Sequence, residues 1–342
     1  MKRASVADVA QLAGVSTATV SRVTNTPHRV NEQTRNKVLK AIDELKFVKS
    51  AAGFSLKVQH TYNVMVIVGS VGNIYYSEIF EGLQREADAH GYSVIISFPS
   101  PDDVSSQITS RLRSGRVDGV IVLSGNDLSD KDFELLKTVY SGTPPVVGFA
   151  EKRGELRYPH VYIDNKKAAY TATQHLIEAG HERIGHLLGP EGYPVTSERL
   201  AGFRAAMNDA GLLVDPKDVY QAGFHRDTGR RAARSLARRA VRSTGMFCCN
   251  DEAAMGFISE LAILGISVPD EVSVVGFDNI AVADAYVPAL TTIGQPRGEI
   301  GVRAMSMLLD VMRDPAGNAG RVDELEVRLA RRASVARPRP AS

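Results

Sequence analysis

From residue 62 onward the chain alternates short apolar runs with amphipathic segments, and this alternation leaves few folds open. Residues 62–69 read as a buried strand, 78–90 as a helix with Ile79, Leu83 and Ala87 on one face, and 92–98 as a strand. Helix 104–114, strand 118–123, helix 130–140 and strand 145–149 continue the pattern. A second series comprises helix 168–179, strand 183–188, helices 198–210 and 228–239, strand 245–249, helix 252–264 and strand 272–277. Repeated strand–helix units imply parallel sheets covered by helices on both faces. Two series of about 110 residues each imply two lobes. Ligands of such sheets lie beyond the carboxyl ends of the strands, which in a two-lobed body means the cleft between the lobes.

The first sixty residues follow a different rule. They carry a net charge of +6, whereas the rest of the 342-residue chain carries −4. A basic head on a mildly acidic body suits a nucleic-acid-binding module joined to something else. Ser5 can cap a helix through Ala13, with Val6, Val9, Ala10 and Ala13 as its apolar stripe and Gly14 as its stop. Ser16 can cap a second helix from Thr17 to about Asn25, and a third begins after Asn31 with Val38, Leu39, Ile42 and Leu45 as its stripe. Two short helices joined by a tight glycine turn, with a supporting third, form a helix-turn-helix. In the second helix Val20 and Val23 turn inward, with Thr24, while Thr17, Ala18, Ser21 and Arg22 lie opposite. That polar face fits a major groove: Arg22 can grip guanine with two hydrogen bonds, Ala18 offers a methyl contact to thymine, and Ser16 and Ser21 suit phosphate oxygens. Asn25, at the end of this helix, joins the same DNA-facing set. The competing reading is a helical hairpin with a decorated surface.

Several classes are excluded. The apolar runs stop well short of the ~20 residues a membrane span needs. The N-terminus turns polar where a signal peptide would be apolar. Cys248 and Cys249 are adjacent and lack a C-x-x-C spacing, which points to a reducing, cytoplasmic setting. No metal or cofactor signature is present: the pair Gly69 and Gly72 lacks the rest of a nucleotide loop, and the histidines have no metal-ligand spacing. No G-x-S-x-G elbow points to a hydrolase. The arginines at 230, 231, 234, 238 and 239 read as a solvated helix face.

The string Val6-Ala7-Asp8-Val9-Ala10, then Gly14-Val15-Ser16, Thr19-Val20-Ser21-Arg22-Val23 and Thr34-Arg35, resembles the head of the lactose-repressor (LacI) family. Further marks are Ile163-Asp164-Asn165, Gly180-His181-Glu182-Arg183-Ile184, Arg199-Leu200-Ala201-Gly202-Phe203, Gly276-Phe277-Asp278-Asn279 and Pro288-Ala289-Leu290-Thr291-Thr292-Ile293. The likeness runs to about residue 330. Within the family it looks most like the cytidine and purine repressors. It implies a helix-turn-helix head (1–46), a hinge (47–60), a two-lobed body similar to a periplasmic binding protein (61–330) and a tail (331–342). That tail, rich in arginine and proline, is expected to be disordered. The family's hinge forms a short helix on DNA that wedges a leucine into the minor groove, a position matched by Leu56. Lys49 replaces a common proline there, and Gly53 weakens the helix by about 1 kcal/mol.

The resemblance also implies ligand contacts at Tyr75, Asp164, Arg199, Phe224, Asn250 and Asp278. These residues lie just after strands, at first helical turns or in loops. An arginine with carboxylates and an amide suits the hydroxyls of a sugar or ribose, and an aromatic suits a sugar face or base. As plain structure, Phe224 would be core, Asp278 a helix cap and Tyr76 packing. Tyr193 and Val195 stand where the purine repressor carries polar base-reading residues, which argues against a free purine base. The expected function is a homodimeric transcriptional regulator, a repressor, with double-stranded operator DNA and a small-molecule effector as partners and with no membrane. The alternative is a sugar-binding receptor with no specific DNA function. A sugar-processing enzyme is disfavoured because no nucleophile or acid–base constellation is legible.

Overall fold

The computed structural model describes residues 4–47, 60–70, 72–98, 100, 103–123, 129–140, 143–150 and 157–339. The chain separates into two compact units, Met1–Thr61 and Tyr62–Ser342. In the first, three helices form: α1 (Val6–Ala13), α2 (Thr17–Asn25) and α3 (Glu32–Glu44). Local chemistry fixes their ends. Ser5 and Asp8 form a reciprocal capping box, and Gly14 ends α1 at φ 64°. The Ser16 side chain accepts from the Thr19 amide at 3.1 Å, and Asn31 Oδ1 accepts from the Thr34 amide at 2.8 Å. Val9, Ala10, Val20, Val23, Val38 and Ala41 pack into one small core. The expected α3 stripe needs one correction. Leu39 is 49% exposed, because residue 38 already takes the core-facing azimuth and its neighbour is turned about 100° away; Ala41 fills the core instead.

The second unit carries two six-stranded sheets. The first has the order β11-β5-β4-β3-β1-β2, all parallel. Its strands are β1 (Asn63–Ile67), β2 (Ser93–Ser97), β3 (Gly119–Val122), β4 (Val146–Ala150), β5 (His160–Tyr162) and β11 (Val322–Glu324). The helices α4 (Tyr76–Ala89), α5 (Val104–Arg113) and α6 (Asp130–Tyr140) connect the first four of them. The second sheet runs β12-β10-β9-β8-β6-β7, parallel except for the edge pair β10–β12. It contains β6 (Ile184–Leu187), β7 (Val219–Tyr220), β8 (Gly245–Cys248), β9 (Ser273–Asp278), β10 (Thr291–Gly294) and β12 (Arg328–Ala330). Its helices are α7 (Asn165–Glu178), α8 (Pro194–Asp209), α9 (Arg226–Ala237) and α10 (Asp251–Ile263). The last helix, α11 (Arg297–Arg313), follows β10 of the second sheet but packs against α4, β3 and β4 of the first. The chain therefore crosses between lobes three times: after β5, after β10 and between β11 and β12.

The expected tail disorder is overturned for residues 331–339. Ser334 is fully buried; its Oγ accepts from the Thr291 amide at 2.8 Å and donates to Val274 O at 2.6 Å. The Ala336 amide donates to Ser273 Oγ at 3.0 Å, and Arg332 Nη1 donates to Leu290 O at 2.7 Å. Composition suggested a solvated tail, but these bonds to strand ends of the second sheet satisfy the segment's polar groups. Leu56, Lys49 and Gly53 lie outside the described residues. Among the described residues, no helix is long and apolar enough to cross a membrane.

Candidate functional site

The carboxyl ends of β1, β8, β9 and β10, from both sheets, open onto one cavity of about 220 Å³. Where a strand ends, its backbone stops pairing and its next side chain is free to face the cleft, so each lobe delivers polar groups here. From the second lobe come Arg199, Asn250 and Asp278, all nearly buried. From the first comes Tyr75, at the start of α4. Gln295, on the crossing after β10, joins the two. The Tyr75 hydroxyl donates to Gln295 Oε1 at 2.9 Å, and Gln295 Nε2 donates to Asp278 Oδ1 at 2.8 Å.

Arg199 is held on three sides. Its Nε donates to Asn165 Oδ1 at 3.0 Å, its Nη1 donates to Cys249 O, and its guanidinium lies 3.6 Å from the centre of the Phe277 ring. Asn250 caps α10 by accepting from the Ala253 amide at 2.9 Å, and its Nδ2 donates to Phe224 O at 3.0 Å, which fixes the loop carrying Phe224. Phe224 and Tyr193 meet edge to face with ring centres 5.9 Å apart and form an aromatic wall. Burial raises the Asp278 carboxyl above the ordinary carboxylate range, while the Arg199 and Arg297 charges pull it back down. Burial, and then the Asp278 charge, push the Tyr75 hydroxyl well up, so it is a neutral donor. An immobilised cation, a carboxylate, amides and aromatic faces can recognise a small ring bearing vicinal hydroxyls.

Five of the six expected contacts line this cavity: Tyr75, Arg199, Phe224, Asn250 and Asp278. Asp164 does not. Its Oδ1 accepts from the Lys167 amide at 2.8 Å as the N-cap of α7, and its neighbour Asn165 lines the cavity instead. The helix begins at Asn165, so residue 164 must supply the cap and 165 is the first to turn inward. Tyr76, expected to be packing, also lines the cavity while stacking on Phe80 at 6.0 Å. Gln295 was missed; the run Thr291-Thr292-Ile293 followed by Gly294 was its signal, because a strand ending there places residue 295 at the cleft.

In the head, Thr17, Ala18 and Arg22 are exposed on α2 and Ser21 is half-buried. The Ser16 hydroxyl serves as the helix cap. Asn25 ends α2, and its side chain lies outside the described residues. The arginine-rich face of α9 is exposed at Arg230, Arg231, Arg234 and Arg238, with Arg234 meeting Glu260 at 2.6 Å; Arg239, just past the end of the helix, is half-buried against Asp218.

The model of bacterial regulatory proteins of the lacI family matches residues 5–50, and that of the periplasmic binding protein-like domain matches residues 173–335. The transcriptional repressor CytR of Escherichia coli strain K12 is 35% identical over 326 residues, 95% of this chain and 94% of that protein. The chain belongs to the LacI family. It is thus a DNA-binding regulator of transcription and not an enzyme. The family member PurR of Vibrio campbellii is 37% identical over 313 residues, 91% of this chain and 92% of that one. Among solved structures, the regulator CelR in complex with cellobiose superposes with a TM-score of 0.71 at 29% identity, covering 97% of this chain and 100% of that one. A LacI-family regulator from Enterococcus faecium with bound ribose gives 0.72 at 25% identity, covering 80% of this chain and 99% of that one. The lac repressor dimer bound to operator shares the fold, with a TM-score of 0.86 at 24% identity, covering 98% of this chain and 100% of that one.

Proposed function

We propose that this chain is a cytoplasmic repressor whose hold on operator DNA is set by a small hydroxylated metabolite, a sugar or nucleoside, in the cleft between its lobes. Two copies related by a two-fold axis present two heads to a pseudo-palindromic operator. Arg22, Ala18 and Thr17 read base edges, Ser16, Ser21 and Asn25 fix the backbone register, and Leu56 acts in the hinge. Tyr75, Asn165, Arg199, Phe224, Asn250 and Asp278 hold the effector.

The observation that carries the effector reading is the presence of a buried cation, Arg199, and a buried carboxylate, Asp278, on the wall of one cavity, with an aromatic wall and donors from both lobes. Burying a cation and a carboxylate costs stability unless partners repay it, and a hydroxylated ring supplies donors and acceptors to both. Because the cavity takes walls from both lobes, a bound ring favours one lobe geometry over another. Tyr193 and Val195 give the cavity an aromatic and an aliphatic face where the purine repressor carries polar base-reading residues, which favours a sugar moiety over a free base.

The test is a thermal-shift screen of monosaccharides, disaccharides and nucleosides against the full chain, since binding to the folded state raises the melting temperature. A hit should stabilise the wild-type protein, fail to stabilise Asp278→Asn, and change the affinity for DNA selected from a random duplex pool at fixed salt. Hits that stabilise both proteins equally place the effector elsewhere.

A further inference from the structure

At the end of β9 two consecutive non-glycine residues hold left-handed backbone angles, Asp278 at φ 110° and Asn279 at φ 52°. L-residues avoid this region, and such a conformation persists only when surrounding contacts over-determine it. The contacts here converge on Asn279 from three directions. Its amide donates to Thr292 Oγ1 at 3.3 Å. Its carbonyl accepts from Arg297 Nη2 at 2.8 Å, and the same nitrogen donates to Glu78 Oε1 of α4 at 2.5 Å. Its side-chain Oδ1 accepts from Arg332 Nη2 at 2.7 Å, and Arg332 is itself anchored by Leu290 O at 2.7 Å and, through its amide, by Thr291 Oγ1 at 2.8 Å. Arg332 belongs to the terminal segment, outside the cavity and past the last strand.

We infer that Arg332 is a positioning residue for the effector site: by gripping the Asn279 side chain it holds the strained turn that aims the Asp278 carboxylate into the cleft. The inference rests on the proposed effector reading for its consequence, but its geometry does not depend on any effector. A guanidinium suits the task because it donates in a fixed fork, one nitrogen to the Leu290 carbonyl just before β10 and the other to Asn279, so the side chain acts as a rigid strut between the start of β10 and the turn. Asparagine suits the receiving position because it tolerates the left-handed region and still offers an acceptor. The next residue reports on the turn: the Ile280 amide donates to Asp251 Oδ2 at 2.9 Å, a bond that opens when the turn opens.

Residue-resolved amide exchange on the free full chain tests this. In Arg332→Met the Asn279 and Ile280 amides should exchange about tenfold faster or more, the effect of losing a charge-assisted hydrogen bond. The Ala336 and Val274 amides, which bond Ser273 Oγ and Ser334 O, should be unchanged, because the terminal segment stays docked by its own bonds. Arg332→Lys, which keeps one charged donor nitrogen, should restore much of the protection. In an Asn279→Gly background, where glycine adopts the turn without help, adding Arg332→Met should change nothing at Ile280. Unaltered exchange at residues 279 and 280 in Arg332→Met overturns the inference. So does acceleration that also spreads to Ala336 and Val274, since Arg332 would then merely pin the terminal segment. Neither result touches the effector reading, which stands or falls on the ligand screen.

Discussion

Asp278 is exposed to solvent over only 5% of its surface and has two cations and one amide as its company. Asp278→Asn keeps the shape and the acceptor for Gln295 but removes the charge. Calorimetry with the effector found by screening should show a loss of about 1.5–3 kcal/mol of binding, the worth of a hydrogen bond to a charged group, with operator binding in its absence unchanged. Wild-type affinity in this variant would make Asp278 a structural residue only. His186 offers a second test. Its ring stacks on Phe247 at 4.6 Å, its Nδ1 donates to Phe247 O at 2.9 Å, and burial depresses its pKa from 6.5 to about 4. The unfolded chain therefore binds this proton at a higher pH than the folded one, so the stability gained by a neutral His186 is present above 6.5 and is lost as pH falls toward 4. The buried carboxyls Asp251 and Asp278 have raised values and act with the opposite sign, so the comparison must be with a variant. Denaturant unfolding from pH 7 to 4 should show wild type losing up to about 3 kcal/mol relative to His186→Gln. Parallel curves would mean that the ring titrates normally.

Helices approach each other most closely where one of them carries glycine. A Cβ on Gly202 of α8 would lie 2.1 Å from Lys166 O of α7, and one on Gly82 of α4 would lie 2.1 Å from Gly298 O of α11. Gly202→Ala must therefore push α8 off α7, at a cost of about 1–3 kcal/mol or more. Gly14→Ala meets no atom within 4 Å but keeps φ 64°, so its cost of about 1 kcal/mol is purely conformational. Because the two glycines lie in different units, urea titration should show Gly202→Ala lowering only the body transition and Gly14→Ala only the head transition. These elements also show what a sequence makes legible. The three head helices, the start of each and the stop of the first were readable because their signals are local: Ser5, Gly14, Ser16 and Asn31 each act within three or four residues. The body strands were readable where an apolar run is continuous, as in β1 and β9. The three-residue strands β5, β11 and β12 were not, because so short a run carries no period, and their pairing partners lie far away in sequence. The return of α11 to the first lobe is likewise non-local. That hid Arg297 and the docked terminal segment, whose Arg332 looks solvated until its acceptors are seen.

At the scale of the whole molecule, function requires that the cleft and the head share one free energy. Linkage makes that coupling reciprocal: if the effector changes operator affinity by some factor, operator must change effector affinity by the same factor, typically about 5- to 150-fold. Two variants separate the ends of this cycle. Arg22→Ala, in the +6 head, removes the two-bond guanine contact proposed for this arginine and should cost about 1–3 kcal/mol of discrimination between operator variants while leaving calorimetric effector binding to the free protein intact. Its remaining, sequence-independent DNA binding should keep nearly the wild-type dependence on salt, because the phosphate contacts that release counterions are still made. Asp278→Asn should do the reverse, with full operator discrimination and a response to effector that needs about ten- to a hundredfold more of it. Titrating operator into wild-type protein with and without effector, and effector into protein with and without operator, measures both sides of the square. Equal factors confirm one coupled equilibrium. A measurable effector response on one side only cannot arise from a single reversible two-ligand system, and would mean that effector acts on another species, such as the assembly of the two copies, before DNA is bound.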